Sequence, residues 1–448
     1  MLFGFNSTAT NLAFNAISET FAGATEATVS WVASGYFIAS AAFLPLGGRL
    51  ADRIGRRRIF EIGLIGFALS AVASAVAPTI WILILARVLQ AVAGALVIPS
   101  SLSMVLPEFP TARRSSAVAT WAAAGPLSAA IAPGTAAGLL AATSWRWVYV
   151  LSAPIAVLTL VGSRLLVTES RGDEEGGRLD LAGTGLAVGA VALLIYGIGQ
   201  GPRWGWLAGP TVAVIGTALL MGVAFVVRSR RHPTPLVNLS LFRIPEVAIA
   251  NVANFFMSIT SLSIWLIWPL YLSRIWNYTI GQVGLAITIG PVFAGPAALL
   301  GGRLADRYGQ RWLMIGGSAI STVAVATSVF RFGNEPDYLL VLAPTVAGFG
   351  LGWGLSSPSM NSWALANTPP AFMGEVNASF NTIRNLAAAV GTTGAIAILG
   401  AADRPDALAA YERANIFFAI WVGLSCLTVT VGSWWLTRSR RRPRAPGT

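Results

Sequence analysis

One stretch of this chain occurs twice. Gly47-Gly48-Arg49-Leu50-Ala51-Asp52-Arg53-Ile54-Gly55-Arg56-Arg57-Arg58 is matched by Gly301-Gly302-Arg303-Leu304-Ala305-Asp306-Arg307-Tyr308-Gly309-Gln310-Arg311, and the aspartates, at positions 52 and 306, are 254 apart. Each copy follows one long apolar run and precedes another. A short charged, glycine-rich loop repeated between apolar helices implies a membrane protein built from two related halves. The glycines let two helix ends approach closely, an aspartate accepts bonds from backbone N–H groups at a helix start, and arginines hold such a loop in water on one side. Two independent arginine loops would explain the arginines but not G-R-L-A-D-R-x-G-x-R appearing twice.

The rest of the chain agrees. Of its 448 residues 55% are hydrophobic and 11% charged. Many runs reach the roughly 18–20 apolar residues that cross a bilayer, so little chain is left for a soluble domain. All 30 basic residues are arginine, and the net charge is +12. These arginines sit in short loops between apolar runs, as positive-inside topology requires, and do not indicate a nucleic-acid partner. Cys426 is the one cysteine, which excludes an internal disulfide. His232, the one histidine, lies in a basic loop, so no His-based metal or catalytic centre is expected. No nucleotide-binding loop, metal-ligand spacing or nucleophile constellation occurs, and neither enzyme activity nor a cofactor is expected. Met1-Leu2-Phe3-Gly4-Phe5 enters an apolar run without a basic region, unlike a signal peptide. That run carries Asn6, Asn11 and Asn15, so either the first helix is unusually polar or the given start lies inside it.

The apolar pattern gives about fourteen spans, with cores at 2–21, 30–48, 59–77, 80–105, 116–141, 147–167, 181–199, 208–227, 246–272, 280–302, 312–330, 339–364, 376–400 and 414–436. With the first repeat placed in the cytoplasm, 22 arginines fall inside and 6 outside, which supports both termini on the cytoplasmic side; the expected location is a bacterial inner membrane. Residues 169–180 are acidic and glycine-rich, and two apolar runs follow before the second half begins. The expected division is a six-helix bundle over 1–168, an acidic linker with two inserted helices over 169–232, and a second six-helix bundle with a basic tail over 233–448.

Polar residues inside spans normally face the bundle interior. Ser7, Asn11, Asn15 and Ser18 share one face of the first span; Arg87 and Gln90 share one in the fourth. Asn251, Asn254, Ser258, Ser261 and Trp265 do so in the ninth, Trp353, Ser357 and Asn361 in the twelfth, and Asn377, Asn381, Arg384 and Asn385 in the thirteenth. With the inserted pair set aside, four of these are the first and fourth helices of each half, as expected if they line one central path. Any single Asn or Ser is more often an interhelical bond. Arg87 lies too deep for easy snorkelling; Arg384 is the weaker candidate of the two, because its side chain is long enough to reach the cytoplasmic edge. Phe255, Phe256, Trp265, Trp268, Tyr271, Trp353, Trp363 and Phe380 accompany these faces, either as a cation-tolerant apolar pocket or as packing. Carboxylates are scarce; Glu19 and Glu61 are the candidates for a titrating group.

The sequence resembles the major facilitator superfamily, specifically its fourteen-helix drug:proton antiporter branch, over essentially the whole chain. The repeats match the G-x-L-a-D-r-x-G-r-r motif. Leu85-Ala86-Arg87-Val88-Leu89-Gln90-Ala91 resembles the fourth-helix R-x-x-Q-G motif, with Ala91 in place of Gly. Ser144-Trp145-Arg146-Trp147-Val148-Tyr149 resembles the W-R-W-I-F stretch, and Pro235-Leu236-Val237-Asn238-Leu239-Ser240-Leu241-Phe242 the entry to the second half. The resemblance implies a conformational latch at Gly48, Asp52, Arg53, Gly55 and Arg56 and at Gly302, Asp306, Arg307 and Gly309. It also implies that Asp52 stabilises the start of the thirteenth helix when the protein faces outward, and that Arg87 takes part in proton coupling. The chain departs from the branch in four places. The first-helix D-x-T-I-V-N-x-A-L-P reads Asn6-Ser7-Thr8-Ala9-Thr10-Asn11-Leu12-Ala13-Phe14-Asn15, the fifth-helix motif around Ala132-Pro133-Gly134 is degraded, Ala91 replaces Gly, and Gln310 replaces Arg.

The expected fold is an all-α major facilitator fold of two six-helix bundles with pseudo-two-fold symmetry and two inserted helices. The expected function is proton-coupled efflux of amphipathic drugs, antibiotics or related metabolites by a monomer whose partners are a small-molecule substrate, protons and the bilayer. A proton-independent facilitator or importer of a polar metabolite, and a non-transporting membrane protein, remain as alternatives. The candidate substrate-path residues are Asn11, Asn15, Gln90, Asn251, Asn254, Ser258, Trp265, Trp353, Ser357, Asn361, Asn381 and Arg384.

Overall fold

Sixteen α-helices, with a short 3-10 turn at Leu239–Arg243 and a π turn at Tyr338–Leu342, make up most of the described part of the chain. The computed structural model describes residues 2–105, 128, 131–169, 180–233, 235, 237–366, 368, 372–400 and 407–441. The helices are α1 Leu2–Leu12, α2 Phe14–Thr20, α3 Glu26–Ile54, α4 Arg56–Ala75, α5 Ile80–Val105, α6 Ile131–Ala142, α7 Trp145–Val150 and α8 Ser152–Leu166. They continue with α9 Leu181–Trp204, α10 Gly209–Arg231, α11 Pro245–Arg274, α12 Ile280–Tyr308, α13 Gln310–Arg331, α14 Ala343–Ala366, α15 Met373–Gly400 and α16 Ala407–Arg441. Twelve helices among the described residues are long and apolar enough to cross a bilayer, α7 and α8 together forming one. The count of fourteen is therefore not reached. The expected first span is interrupted at Ala13, and most of the expected fifth span lies outside the described residues.

The helix starts are set locally. Thr25 caps α3 through the Thr28 N–H, and Thr279 with Gln282 forms a reciprocal capping box at α12. The repeated stretch is not the loop its composition suggests. Gly47–Ile54 and Gly301–Tyr308 are the last turns of α3 and α12, and one glycine in each, Gly55 (φ +135°) and Gly309 (φ +83°), breaks the helix before α4 and α13 begin. Side chains rarely adopt such a φ, so a single glycine does the work expected of a loop.

The two halves pack alike. α4 and α3 both lie on α5, and α13 and α12 both lie on α14. Gly63 of α4 abuts Val97 and the Ala93 carbonyl, and Gly317, again 254 positions later, abuts the Gly352 carbonyl and Ser356 of α14. An added Cβ at either would meet the partner helix at under 3 Å. The repeat thus extends from the motif into helix packing. The halves meet along α3 and α15, where Ser34 bonds Thr393 (3.0 Å), Asn385 donates to Ser40 (3.3 Å) and Thr382 to the Ala41 carbonyl (3.2 Å). α9 packs on α10 and lies against α3 and α15, and these two helices bury the smallest shares of their spans.

Asp180 ties that inserted pair together, accepting from the Gly183 N–H (2.8 Å) and from Arg228 at the end of α10 (2.7 Å). Burial alone would raise the Asp180 carboxyl, but these two donors and the Arg228 charge hold it below the ordinary carboxylate value.

Candidate functional site

Arg87 lies two turns into α5 and is 1% exposed. Its Nη1 donates to Asn6 Oδ1 of α1 and to Gln90 Oε1 (2.5 Å), and its Nε donates to the Val32 carbonyl of α3 (3.3 Å). The guanidinium lies 4.3 Å from the centroid of Tyr36 and 5.4 Å from that of Tyr149. Asn6 Nδ2 donates to Ser152 (3.1 Å), and Thr10 donates to Tyr149 Oη (3.3 Å) and to the Asn6 carbonyl (2.7 Å). A buried arginine in a membrane costs about 2.5–3.5 kcal/mol or more. Here neutral oxygens and two π faces offset that cost, since bonds to a charged group contribute about 1.5–3 kcal/mol each and a desolvated cation–π contact about 2. No carboxylate enters this set.

Asn6 is the position where the branch pattern has an acid, and the structure sets it directly against Arg87. The sequence reading located the departure but not its partner. Tyr36, Tyr149 and Ser152 were also missed, because nothing in linear spacing links them to Arg87.

The second polar cluster is in the other half. Asn254 donates to the Phe380 carbonyl (2.9 Å), Ser258 to Asn254 Oδ1 (3.2 Å), Asn361 to Asn377 Oδ1 (3.0 Å) and Asn381 to the Asn377 carbonyl (2.9 Å). α11, α14 and α15 thus meet through amides. Asn251 turns back to the Val247 carbonyl, leaving its own Oδ1 buried without a partner. Ser357 is buried, Trp353 is half-buried, and Trp265 packs against Gly290 of α12. Arg384 sits three turns into α15, about 16 Å along its axis. It lies two turns beyond Asn377, on the face of α15 that meets Asn361 of α14. It is half-buried and makes no hydrogen bond or ion pair among the described residues.

Several expected pocket aromatics are packing. Trp268 donates to Asn415, Tyr271 donates to the Gly333 carbonyl, and both rings pack on Phe332. Phe256 stacks on Trp421.

The candidate carboxylates do not join either arginine. Glu19 is exposed near the end of α2, and Glu61 pairs with Arg57 (3.4 Å) and Arg164 (3.2 Å) near the start of α4. Every acidic residue of the described spans lies within two turns of a helix end. The side chains of Asp52 and Asp306 lie outside the described set, so the implied Asp52 contact with α15 is not addressed. The start of α4 is instead capped by Glu169, which accepts from the Arg57 and Arg58 N–H groups at 3.0 and 3.1 Å. Gly48, Arg53 and Arg56 lie in or beside this break, and Gly302 and Arg307 lie before the second one.

At the end away from the repeats the halves are bonded together. Arg274 pairs with Glu26 (2.8 Å) and donates to Asn15 (3.2 Å), and Asn15 donates to Ser273 (2.9 Å). Asn11 is buried one turn earlier in the same segment. A cavity of about 720 Å³ lies at this end, lined by Glu26, Arg203, Arg274 and Tyr411 among others, and away from both buried arginines.

Two halves of like packing, a polar interior and a bonded seam define a membrane transporter rather than an enzyme. The sequence matches the Major Facilitator Superfamily over residues 1–392 and again over 247–448, and the chain belongs to that superfamily. It is 31% identical over 390 residues to the "Probable actinorhodin transporter" of Streptomyces coelicolor, covering 84% of this chain and 66% of that protein. It is 28% identical over 439 residues to the "Methylenomycin A resistance protein" of the same organism, covering 97% and 90%. It is 31% identical over 412 residues to the "Puromycin resistance protein pur8" of Streptomyces alboniger, covering 87% and 78%. Among solved structures, a D-xylose–proton symporter aligns with a TM-score of 0.67 at 15% identity over 96% of this chain and 94% of its own. A peptide transporter bound to sulfate aligns at 0.68 and 17%, over 98% and 94%. At such identities the likeness is one of fold.

Proposed function

We propose that this transporter exports amphipathic drugs, antibiotics or related metabolites from the bacterial cell by alternating access. The observation that carries the reading is the seam. Its cross-half bonds run from mid-depth (Ser40 to Asn385) to the end away from the repeats (Glu26 to Arg274). With the arginine-rich repeats in the cytoplasm, that is an outward-closed state. Residues 1–168 and 233–448 are the two moving bodies, and 169–232 carries the inserted pair. Names of relatives that specify antibiotic resistance support the substrate class.

Proton antiport through Arg87 is the drive that the family resemblance implies. A proton-independent drive is the second reading, favoured by Asn6, an amide, as the first-helix partner of Arg87. The test is counterflow of a panel of amphipathic probes in proteoliposomes, with and without an imposed pH gradient, on the native chain and Arg87→Ala. Flux in the native chain that requires the gradient and is lost in Arg87→Ala supports antiport; gradient-indifferent flux supports the second reading. A native chain that moves no member of the panel contradicts export.

A further inference from the structure

Among the described residues two guanidinium groups lie inside the spans, and no described acid balances either. Arg87 is surrounded by neutral groups, and Arg384 has no partner at all among the described residues. The acidic residues of the described spans stay within two turns of the helix ends, and the expected span over 116–141 contains no Asp or Glu in its sequence. Among the described residues the interior therefore carries positive charge with no internal counter-charge.

We infer that the transported substrate is itself an anion, and that Arg384 receives its carboxylate. The inference rests on the export reading above. A guanidinium presents paired N–H donors in a plane that matches a carboxylate, and the interaction strengthens where water is sparse. Arg384 is half-buried, so its donors are reachable, and it shares its face of α15 with Asn377, which meets Asn361 of α14 in the second polar cluster. A second observation points the same way. Gln90, 0% exposed and bonded to Arg87 through its Oε1, leaves its Nε2 donor buried without a partner. A free amide donor beside a cation suits an incoming acceptor and repels nothing anionic. A lipophilic cation at Arg384 would meet a like charge.

The charge also bears on the drive. An anion leaving a negative-inside cell moves down the membrane potential, so its export needs no titrating carboxylate in the spans. The absence of such a group from the described spans, unexplained under proton antiport, is then expected.

The test uses the full chain in proteoliposomes and two fluorescent probes on one aromatic scaffold, one bearing a carboxylate and one a trimethylammonium. The native chain is expected to move the carboxylate at least tenfold faster than the cation. Arg384→Ala is expected to lose that flux by tenfold or more, with Arg384→Lys restoring part of it. Thermal stabilisation of the native chain by the carboxylate probe, and none by its methyl ester, reads the same site without relying on a variant's folding. A native chain that moves the cation as fast as the carboxylate, or an Arg384→Ala variant that keeps the carboxylate flux, overturns the anion assignment while export stands. Equal stabilisation by acid and ester overturns it too. A native chain that moves neither probe, nor any of the wider panel, overturns export and the anion assignment together.

Discussion

Arg87 and Arg384 are the same residue type inside spans of two related halves, and the protein treats them oppositely. Arg87 is enclosed by Asn6, Gln90, the Val32 carbonyl and two tyrosine rings. Arg384 has no hydrogen-bond or ion-pair partner among the described residues. A charge that is fully solvated by protein is a fixture of the fold. A charge that the protein leaves unsatisfied is held for something that arrives. The difference assigns Arg87 to holding α1, α3 and α5 together and Arg384 to the substrate.

That contrast can be broken most sharply by truncating each arginine. Arg87→Ala strands Asn6 and Gln90 and is expected to destabilise the protein by about 1–3 kcal/mol per unsatisfied group, read as a lowered Tm in detergent. Arg384→Ala strands nothing, so its Tm should hold while its flux falls; a larger Tm loss in Arg384→Ala than in Arg87→Ala would reverse the assignment. Asn6→Asp sharpens the point from the other side. It places an acid on Arg87, and flux is expected to become dependent on a pH gradient, checked by comparing the variant with the native chain under the same gradient.

The repeats offer a smaller contrast. Both Gly55 and Gly309 have positive φ, but an added Cβ at Gly55 also meets Glu169 at 2.9 Å, whereas nothing lies within 4 Å of one at Gly309. Each alanine variant carries backbone strain of about 1–3 kcal/mol. Gly55→Ala additionally disturbs the Glu169 cap, adding about 0.5–2 kcal/mol by analogy with other caps, so its Tm should fall further. Equal Tm values would remove Glu169 from the account of the first repeat.

The smallest effects come from ion pairs. Asp180 has a depressed carboxyl, so its contribution is present above the unfolded value of about 3.9 and is lost as pH falls through the folded one. Native chain and Asp180→Asn should therefore differ in Tm at neutral pH and converge in acid. Arg274 and Glu26 are each about one third exposed, and Glu26→Gln should cost under about 1 kcal/mol of stability while raising the outward-open population, read by labelling of a cysteine placed at Ser273.

Much of the fold was legible because apolar length and the 254-residue repeat are properties of the sequence alone. The helical state of Gly47–Ile54 was not, because glycine, arginine and aspartate together read as loop, and packing against α5 decides otherwise. Arg87 was legible from its depth. Its partners were not: Asn6 and Tyr149 lie 81 and 62 positions away, and Tyr149 sits in a tryptophan-rich stretch that reads as an interfacial anchor. Arg384 was legible as part of a polar helix face, but its depth was less so, because the expected span starts at 376 while α15 begins at Met373.

The most direct measurement separates voltage from protons. Proteoliposomes holding the native chain and loaded with the carboxylate probe are given either an inside-negative potassium diffusion potential at equal pH, or a pH gradient at zero potential. An unbalanced positive interior that exports anions predicts efflux driven by the potential and indifferent to the gradient. Efflux driven by the pH gradient and indifferent to the potential would contradict it, and would return the coupling to a titrating group.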